Sequence, residues 1–245
     1  MNRLTVNIKN KYFPKDGCDE IFTAIKDLYF ELSNNEFICI VGPSGCGKTT
    51  LLNAIAKLDD DFDGSITMDN ESLNENISYV FQTPRLLPWR TVLENIHLAV
   101  GEDSALSSIT DILQQLGLGD NLHSYPHHLS LGMQRRVALA RAFCVPSKLL
   151  LMDEPFVSLD QSTARKARQL LLDLWEQQSR NVIFVTHDLN EAIELADRIL
   201  FLSESPSTVL DDIKISIPRG ERTSDNIAEF KQQLKVSNPA IQHLI

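Results

Sequence analysis

The chain has 245 residues, 43% of them hydrophobic, enough for one sizeable core with a small attached subdomain. Its 33 acidic and 23 basic side chains leave a net charge of −10, which argues against a nucleic-acid partner, since that calls for a basic face. No run approaches the ~20 apolar residues that cross a bilayer, and the N-terminal segment lacks the apolar core of a signal peptide. These readings predict a cytosolic chain that meets a membrane only through a partner.

Apolar runs rich in Val and Ile alternate with longer helical patterns, the signature of an α/β fold with a largely parallel sheet. In chain order, strands are predicted at Leu4–Ile8, Leu28–Leu32, Phe37–Val41, Ile77–Phe81, Leu149–Met152, Val182–Val185 and Ile199–Leu202. Helices are predicted at Lys48–Ala56, Ala105–Leu116, Gly132–Phe143, Ser162–Gln177 and Asn190–Ala196. Between Thr83 and His128 there are turn signals and helix patterns but no core strand, so residues 83–145 read as a helical subdomain inserted into the sheet-bearing domain. Beyond residue 204 a short tail follows, with a turn at Ser205-Pro206-Ser207, a strand at Ile213–Ile217 and a modest helix at Asp225–Leu234. Cys18, Cys39, Cys46 and Cys144 are scattered without CxxC or zinc-ligand spacing and read as free thiols.

Gly42-Pro43-Ser44-Gly45-Cys46-Gly47-Lys48-Thr49 fits GxxxxGK[ST], after the apolar strand Phe37–Val41 and before a helix continuing Thr50-Leu51-Leu52. That strand–loop–helix context is the one the motif requires. Glycines let the backbone bend so that successive N–H groups point at phosphate oxygens, and the helix start adds partial positive charge. Lys48 is placed to bridge the terminal phosphates, and the Thr49 hydroxyl to ligate Mg²⁺. The segment Gly42–Thr50 is therefore the predicted binding site for a nucleoside triphosphate.

Leu149-Leu150-Leu151-Met152-Asp153-Glu154-Pro155 is an apolar strand that ends in two acids, at the carboxyl edge where α/β sheets bind ligands. Asp153 suits Mg²⁺. Glu154, pointing elsewhere by strand alternation, suits polarisation of an attacking water. His187 follows another apolar strand, Val182–Val185, where it can reach a γ-phosphate or the water beside it.

Leu129-Ser130-Leu131-Gly132-Met133-Gln134-Arg135-Arg136-Val137-Ala138-Leu139-Ala140-Arg141-Ala142 resembles the signature of ATP-binding-cassette (ABC) ATPases, LSGGQ or LSGGM followed by a helix reading RVALARA. Ser158-Leu159-Asp160 resembles the D-loop, His187 the switch histidine and Gln82 the Q-loop glutamine, all in the family's order. The resemblance runs from about Leu4 to Leu202. It implies an ABC cassette with a mostly parallel core sheet, an N-terminal antiparallel β-subdomain and the inserted helical subdomain. It also implies ATP and Mg²⁺ as ligands, with Glu154, His187 and Gln82 catalytic and Thr49, Gln82 and Asp153 around the metal. Two cassettes would pair head to tail, a homodimer in the simplest case, so that Ser130 and Gly132 contact the γ-phosphate of the partner's ATP. An aromatic side chain is expected on the adenine, Phe13 or its neighbour Tyr12. Leu131 and Met133 depart from the usual signature, and a β-carbon at 131 is expected to restrict the backbone near phosphate.

Gln82-Thr83-Pro84-Arg85-Leu86-Leu87-Pro88-Trp89-Arg90-Thr91-Val92-Leu93-Glu94-Asn95-Ile96 resembles the importer branch that serves nitrate, aliphatic sulfonates, taurine and pyrimidine precursors. The short ending around Ile217–Thr223 resembles the same branch. The resemblance implies polytopic permease subunits, an extracytoplasmic solute-binding protein and a place on the cytoplasmic face of the inner membrane. Leu86, Leu87 and Trp89 would form the patch that receives the permease. Two other readings remain open from sequence: a soluble ABC ATPase, such as an iron–sulfur assembly subunit, and a module that binds ATP without hydrolysing it.

Overall fold

The computed structural model describes residues 3–14, 21–69, 71–73, 77–101, 106–157, 159–178 and 180–244, apart from the Ser72 side chain. Cys18, Ala105 at the start of an expected helix and Ser158 of the expected D-loop lie outside the described residues. The elements run β1 (Leu4–Pro14), β2 (Ile21–Leu32), β3 (Phe37–Val41), α1 (Lys48–Ile55), β4 (Asp63–Met68), β5 (Glu71–Ser72) and β6 (Ile77–Val80). Next come α2 (Val92–Val100), α3 (Leu106–Gln115), α4 (Leu131–Cys144), β7 (Leu149–Asp153) and α5 (Gln161–Glu176). The chain closes with β8 (Asn181–Thr186), α6 (Leu189–Leu195), β9 (Arg198–Leu202), β10 (Val209–Lys214) and α7 (Ser224–Ser237). Two compact units result, one formed by Met1–Asn74 with Asn181–Ile245 and the other by Glu75–Arg180.

The first unit holds an antiparallel sheet in the order β2-β1-β4-β5 and the strand run β10-β9-β3-β8. Leu4, Val6 and Ile8 alternate inward along β1, the period-2 pattern of a sheet with one buried face. Every residue of β3 and β8 is buried, as befits parallel strands covered on both sides. β3 pairs in parallel with β8 and β9, and β10 closes the edge antiparallel to β9.

Sequence pattern alone does not mark β4, because Asp63-Gly64-Ser65 reads as a turn; pairing with β1 makes it a strand. The last strand is Val209–Lys214, displaced from the predicted Ile213–Ile217. Asp211 and Asp212 hide it from a hydropathy reading, yet an edge strand tolerates them, and Asp212 pairs with Arg198 at 3.0 Å. The segment beyond β10 closes the end of α6. Arg222 Nη1 donates to the carbonyls of Glu194 at 3.1 Å and Ala196 at 2.8 Å, and Arg219 Nε to that of Leu195 at 3.0 Å. Cations there satisfy the orphan carbonyls and oppose the negative helix end. Burial lowers the Arg222 pKa to about 10, still charged at neutral pH.

In the second unit β6 and β7 pair in parallel, from Ile77 with Leu149 to Val80 with Met152. Helix α2 carries a capping box: Thr91 accepts from the Glu94 N–H, while Glu94 accepts from the Thr91 N–H. The unit's most deeply buried cation is Arg180, 1% exposed. Its Nη1 donates to Ser147 Oγ at 2.9 Å, Ser78 Oγ at 3.4 Å and the Ala142 carbonyl at 3.3 Å; its Nη2 donates to the Phe143 carbonyl at 3.3 Å. The guanidinium also lies 4.5 Å over the Phe143 ring. It thus ties the carboxyl end of α4 to the strand starts at Ser78 and Ser147. Replacing Arg180 with Ala should strip partners from two helix-end carbonyls and destabilise the chain by about 2–4 kcal/mol, read as a lower urea midpoint.

Candidate functional site

The phosphate loop leaves the end of β3 and enters α1. Gly47 caps the helix with φ 105°, a left-handed conformation that β-carbons penalise. Gly42 is required for a different reason: a β-carbon there would sit 2.9 Å from Cys46 Sγ and 3.2 Å from Leu202 Cβ. Gly45 has φ +78° and open space where its β-carbon would be. No acid occupies the first turn of α1 and no side chain caps it, so no carboxylate competes for those amides. Lys48 is 6% exposed and folds over the loop, its Nζ donating to the carbonyls of Gly42 at 2.8 Å and Pro43 at 2.9 Å. Thr49 is exposed, Thr50 half-buried and Ser44 exposed. Cys46 is buried, and burial pushes its thiol up, opposed by the nearby Lys48 charge. The thiol packs inside the loop, where burial disfavours the thiolate.

A segment beyond β9 braces this loop. Ser205 Oγ donates to the Gly45 carbonyl at 3.2 Å, and the Ser207 N–H donates to the Ala24 carbonyl at 2.9 Å. His187, exposed, follows β8, whose Thr186 pairs in register with Val41 of β3. The phosphate loop and His187 therefore emerge from the same end of neighbouring strands. Thr186 Oγ1 donates to Glu191 at 2.6 Å and accepts from the Asp188 N–H at 3.0 Å. Asp188 in turn caps α6 through the Asn190 N–H at 2.8 Å. The turn that carries His187 is fixed on both sides.

Within the second unit, Gln82 and the two acids emerge together. Val80 and Met152 are the last paired residues of β6 and β7, Gln82 is exposed and Asp153 is 5% exposed. Strand alternation does not direct Glu154, because β7 stops at Asp153 and Glu154 adopts φ 44°. A left-handed non-glycine residue stores strain, and such residues concentrate at functional sites. On the neighbouring β6, Tyr79 stacks on Phe81 with centroids 4.1 Å apart, and Arg85 covers the Phe81 ring at 3.8 Å. Burial, reinforced by the Asp153 charge, raises the Tyr79 hydroxyl well above its ordinary range.

Ser130 caps α4, its Oγ accepting from the Met133 N–H at 3.2 Å. Gly132 has room for a β-carbon, whose nearest neighbour would be Leu159 Cδ2 at 3.8 Å. Leu131 is the first residue of the helix and is 51% exposed. The expected backbone restriction is thus absent, because a helical backbone suits leucine. At the far end of β1, Tyr12 is exposed and Phe13 half-buried, with Lys11 Nζ 4.7 Å over the Phe13 ring. Tyr12 pairs with Thr23, and the following Ala24 carbonyl lies 3.4 Å from a β-carbon placed on Gly47. The aromatic pair is therefore one strand removed from the phosphate loop.

A protein-family model described as "ABC transporter" matches residues 25–157. The chain belongs to the ABC transporter family. It is 37% identical over 239 residues to the aliphatic sulfonates import ATP-binding protein SsuB of Bacillus cereus, covering 94% of both chains. It is 40% identical over 217 residues to SsuB 2 of Burkholderia cenocepacia, covering 86% of this chain and 80% of that one. Among solved structures it resembles a dimeric ATP-binding cassette in a post-hydrolysis state bound to ADP and Pi. The TM-score is 0.75 at 31% identity, with 88% of this chain and 100% of that one covered. This chain is accordingly an ATP-binding cassette with the ATPase activity of its family.

Two residues inside the quoted motifs received no role from the sequence. Asn95 is buried in α2 and clamps the loop after Gln82: Oδ1 accepts from the Leu87 N–H at 2.7 Å, and Nδ2 donates to the carbonyls of Leu87, Arg90 and Thr91 at 3.2, 3.0 and 2.9 Å. Arg141 holds the same loop through the carbonyls of Arg85 and Pro84, both at 3.0 Å. A polar amide among the apolar positions Val92 and Ile96 was the available signal. Leu86 and Leu87 are half-buried under this clamp, while Trp89 is 69% exposed, so Trp89 is not subdomain core. Gly42→Ala should lower ATP affinity of the cassette at least about tenfold, roughly 1.4 kcal/mol, measured by titration with a fluorescent ATP analogue.

Proposed function

We propose that this chain is the ATP-hydrolysing subunit of an importer for a small solute, of the nitrate, sulfonate, taurine or pyrimidine-precursor type. The observation that carries the reading is the phosphate loop, with an acid-free helix start and Lys48 folded over it, at the edge where His187 also emerges. The importer role is supported by relatives named as aliphatic sulfonates import proteins, aligned along nearly the whole chain. Among those solutes, the same names favour a sulfonate.

In this reading the amides of Gly42–Thr50 cradle the phosphates and Lys48 bridges the terminal pair. Phe13 or Tyr12 stacks on the adenine. Thr49, Asp153 and Gln82 would hold Mg²⁺: an exposed hydroxyl, a carboxylate and an amide carbonyl are the hard oxygen donors that ion takes. Mg²⁺, when bound, neutralises charge on the transferring phosphoryl group. Glu154 accepts hydrogen from the attacking water, and His187 steadies the γ-phosphate. Ser130 and Gly132 of a second copy complete the site, the amino end of α4 facing the γ-phosphate. Trp89 offers an aromatic anchor to a polytopic permease, which would hold the chain at the cytoplasmic face of the inner membrane. An extracytoplasmic solute-binding protein would act through that permease.

Glu154→Gln should keep ATP binding and lose at least about 100-fold of the turnover, about 2.7 kcal/mol in the barrier; light scattering with ATP and Mg²⁺ should then show dimers. Near-normal hydrolysis by that variant, or monomers only, would defeat the assignment. Leu131 puts an exposed side chain where the partner's phosphate is to approach, so Leu131→Gly should raise turnover by about two- to tenfold. An unchanged rate in a steady-state phosphate-release assay would remove Leu131 as a brake.

A further inference from the structure

Two helix faces line one cavity inside the Glu75–Arg180 unit. Helix α4 contributes Gly132, Arg135, Arg136 and Leu139, and α5 contributes Thr163, Lys166, Ala167 and Leu170. Both sets have the spacing i, i+3, i+4, i+7, which is a single helix face. In a packed pair such faces interdigitate large side chains. Gly132, Thr163 and Ala167 are too small to do so, and a cavity of about 270 Å³ remains. Leu116, Phe156 and Leu159 complete its apolar wall.

The charged lining is entirely cationic: Arg135, Arg136 and Lys166, with no acid among the described residues around it. Arg136 is engaged, donating to the Leu116 carbonyl at 2.9 Å. Arg135 donates from Nη1 to the Val157 carbonyl, but its buried Nε has no hydrogen-bond partner among the described residues. Burial pushes the Arg135 pKa down, the mark of a guanidinium that has given up water without gaining an acid. Apolar walls with three cations and no acid among the described lining residues suit a ligand with an apolar body and one acidic head.

We propose that this cavity is a regulatory binding site for a small amphiphilic anion, a short alkyl chain or single ring bearing one sulfonate or carboxylate. The occupant would draw on the same guanidinium that holds Val157. Arg135 and Val157 join the signature helix to the turn after Glu154, so occupancy alters that tie and lowers turnover. The effect on turnover rests on the ATPase reading; the binding does not.

Isothermal titration of the full chain without nucleotide tests the site, with 1-hexanesulfonate, hexanoate, dodecanoate and 1-hexanol as probes. At least one acid should bind saturably with Kd at or below about 1 mM, and hexanol at least about tenfold more weakly. Preference for the short sulfonate points to a solute-like ligand, and preference for dodecanoate to a lipid-derived one; each supports the site. Arg135→Gln should weaken the acid about tenfold and Leu170→Trp, which fills the cavity, should abolish its binding. Retained ATP binding by both variants shows that each still folds. No acid binding by the unaltered chain, equal binding of hexanol, or unchanged acid binding in both variants overturns the proposal. Because these titrations contain no ATP, their failure leaves the ATPase reading standing, and an inactive cassette would leave them interpretable.

Discussion

Strands β3, β7 and β8 are buried along their whole length, so along them a polar side chain is admitted only where it finds a hydrogen-bond partner. Asn181 at the start of β8 meets this condition by accepting from the Glu36 N–H at 3.2 Å, and Thr186 at its end by donating to Glu191. Asp153 stands at the terminal position of β7. Other polar groups are displaced to the residues just past the carboxyl ends, which is where Glu154 and His187 stand, after β7 and β8, as Gly42 does after β3. The same constraint accounts for the bracing around those positions. A loop anchored at one end by a buried strand still has a free end, and each is fastened by side-chain hydrogen bonds: Ser205 on the phosphate loop, the neighbouring Thr186 and Asp188 around His187, Asn95 and Arg141 beyond Gln82.

Cations close helices in both units, Arg180 buried and Arg219 and Arg222 half-buried. Arg180 takes the last carbonyls of α4, and Arg222 with Arg219 those of α6. Arg219 pairs with an acid, Asp197 at 2.7 Å, whereas Arg180 and Arg222 have no such pair among the described residues. For Arg180, carbonyl dipoles, two serine hydroxyls and an aromatic face stand in for a counterion. Such an arrangement costs desolvation, visible in the lowered pKa values of Arg180 and Arg222, both about 10. In return the donors are directional: a guanidinium fixes several carbonyls in one plane, which an apolar replacement cannot do.

Much of the fold was legible because its signals are local. A glycine-rich loop between a five-residue apolar strand and a helix, and a leucine run ending in Asp-Glu, each identify themselves within about ten residues. Features that depended on distant partners were not. Strand β4 is polar for half its length and exists through pairing with β1, and β10 carries two aspartates that an edge position tolerates. The direction of Glu154 could not follow from alternation, since the strand ends one residue earlier and a left-handed turn intervenes. Leu131 read as a backbone problem, whereas its place at the start of a helix makes it a question of what its exposed side chain meets.

The thiol at position 46 lies beneath the phosphate loop, packed against Gly42, with its proton held more firmly than usual by burial. An alkylating reagent needs both thiolate and access, and burial disfavours both. Alkylation of Cys46 should therefore be slow while the loop keeps this packing, so the native cysteine serves as a built-in record of any loosening there. With alanine or serine in its place, that record would have to be introduced by mutation; in this chain it is already present.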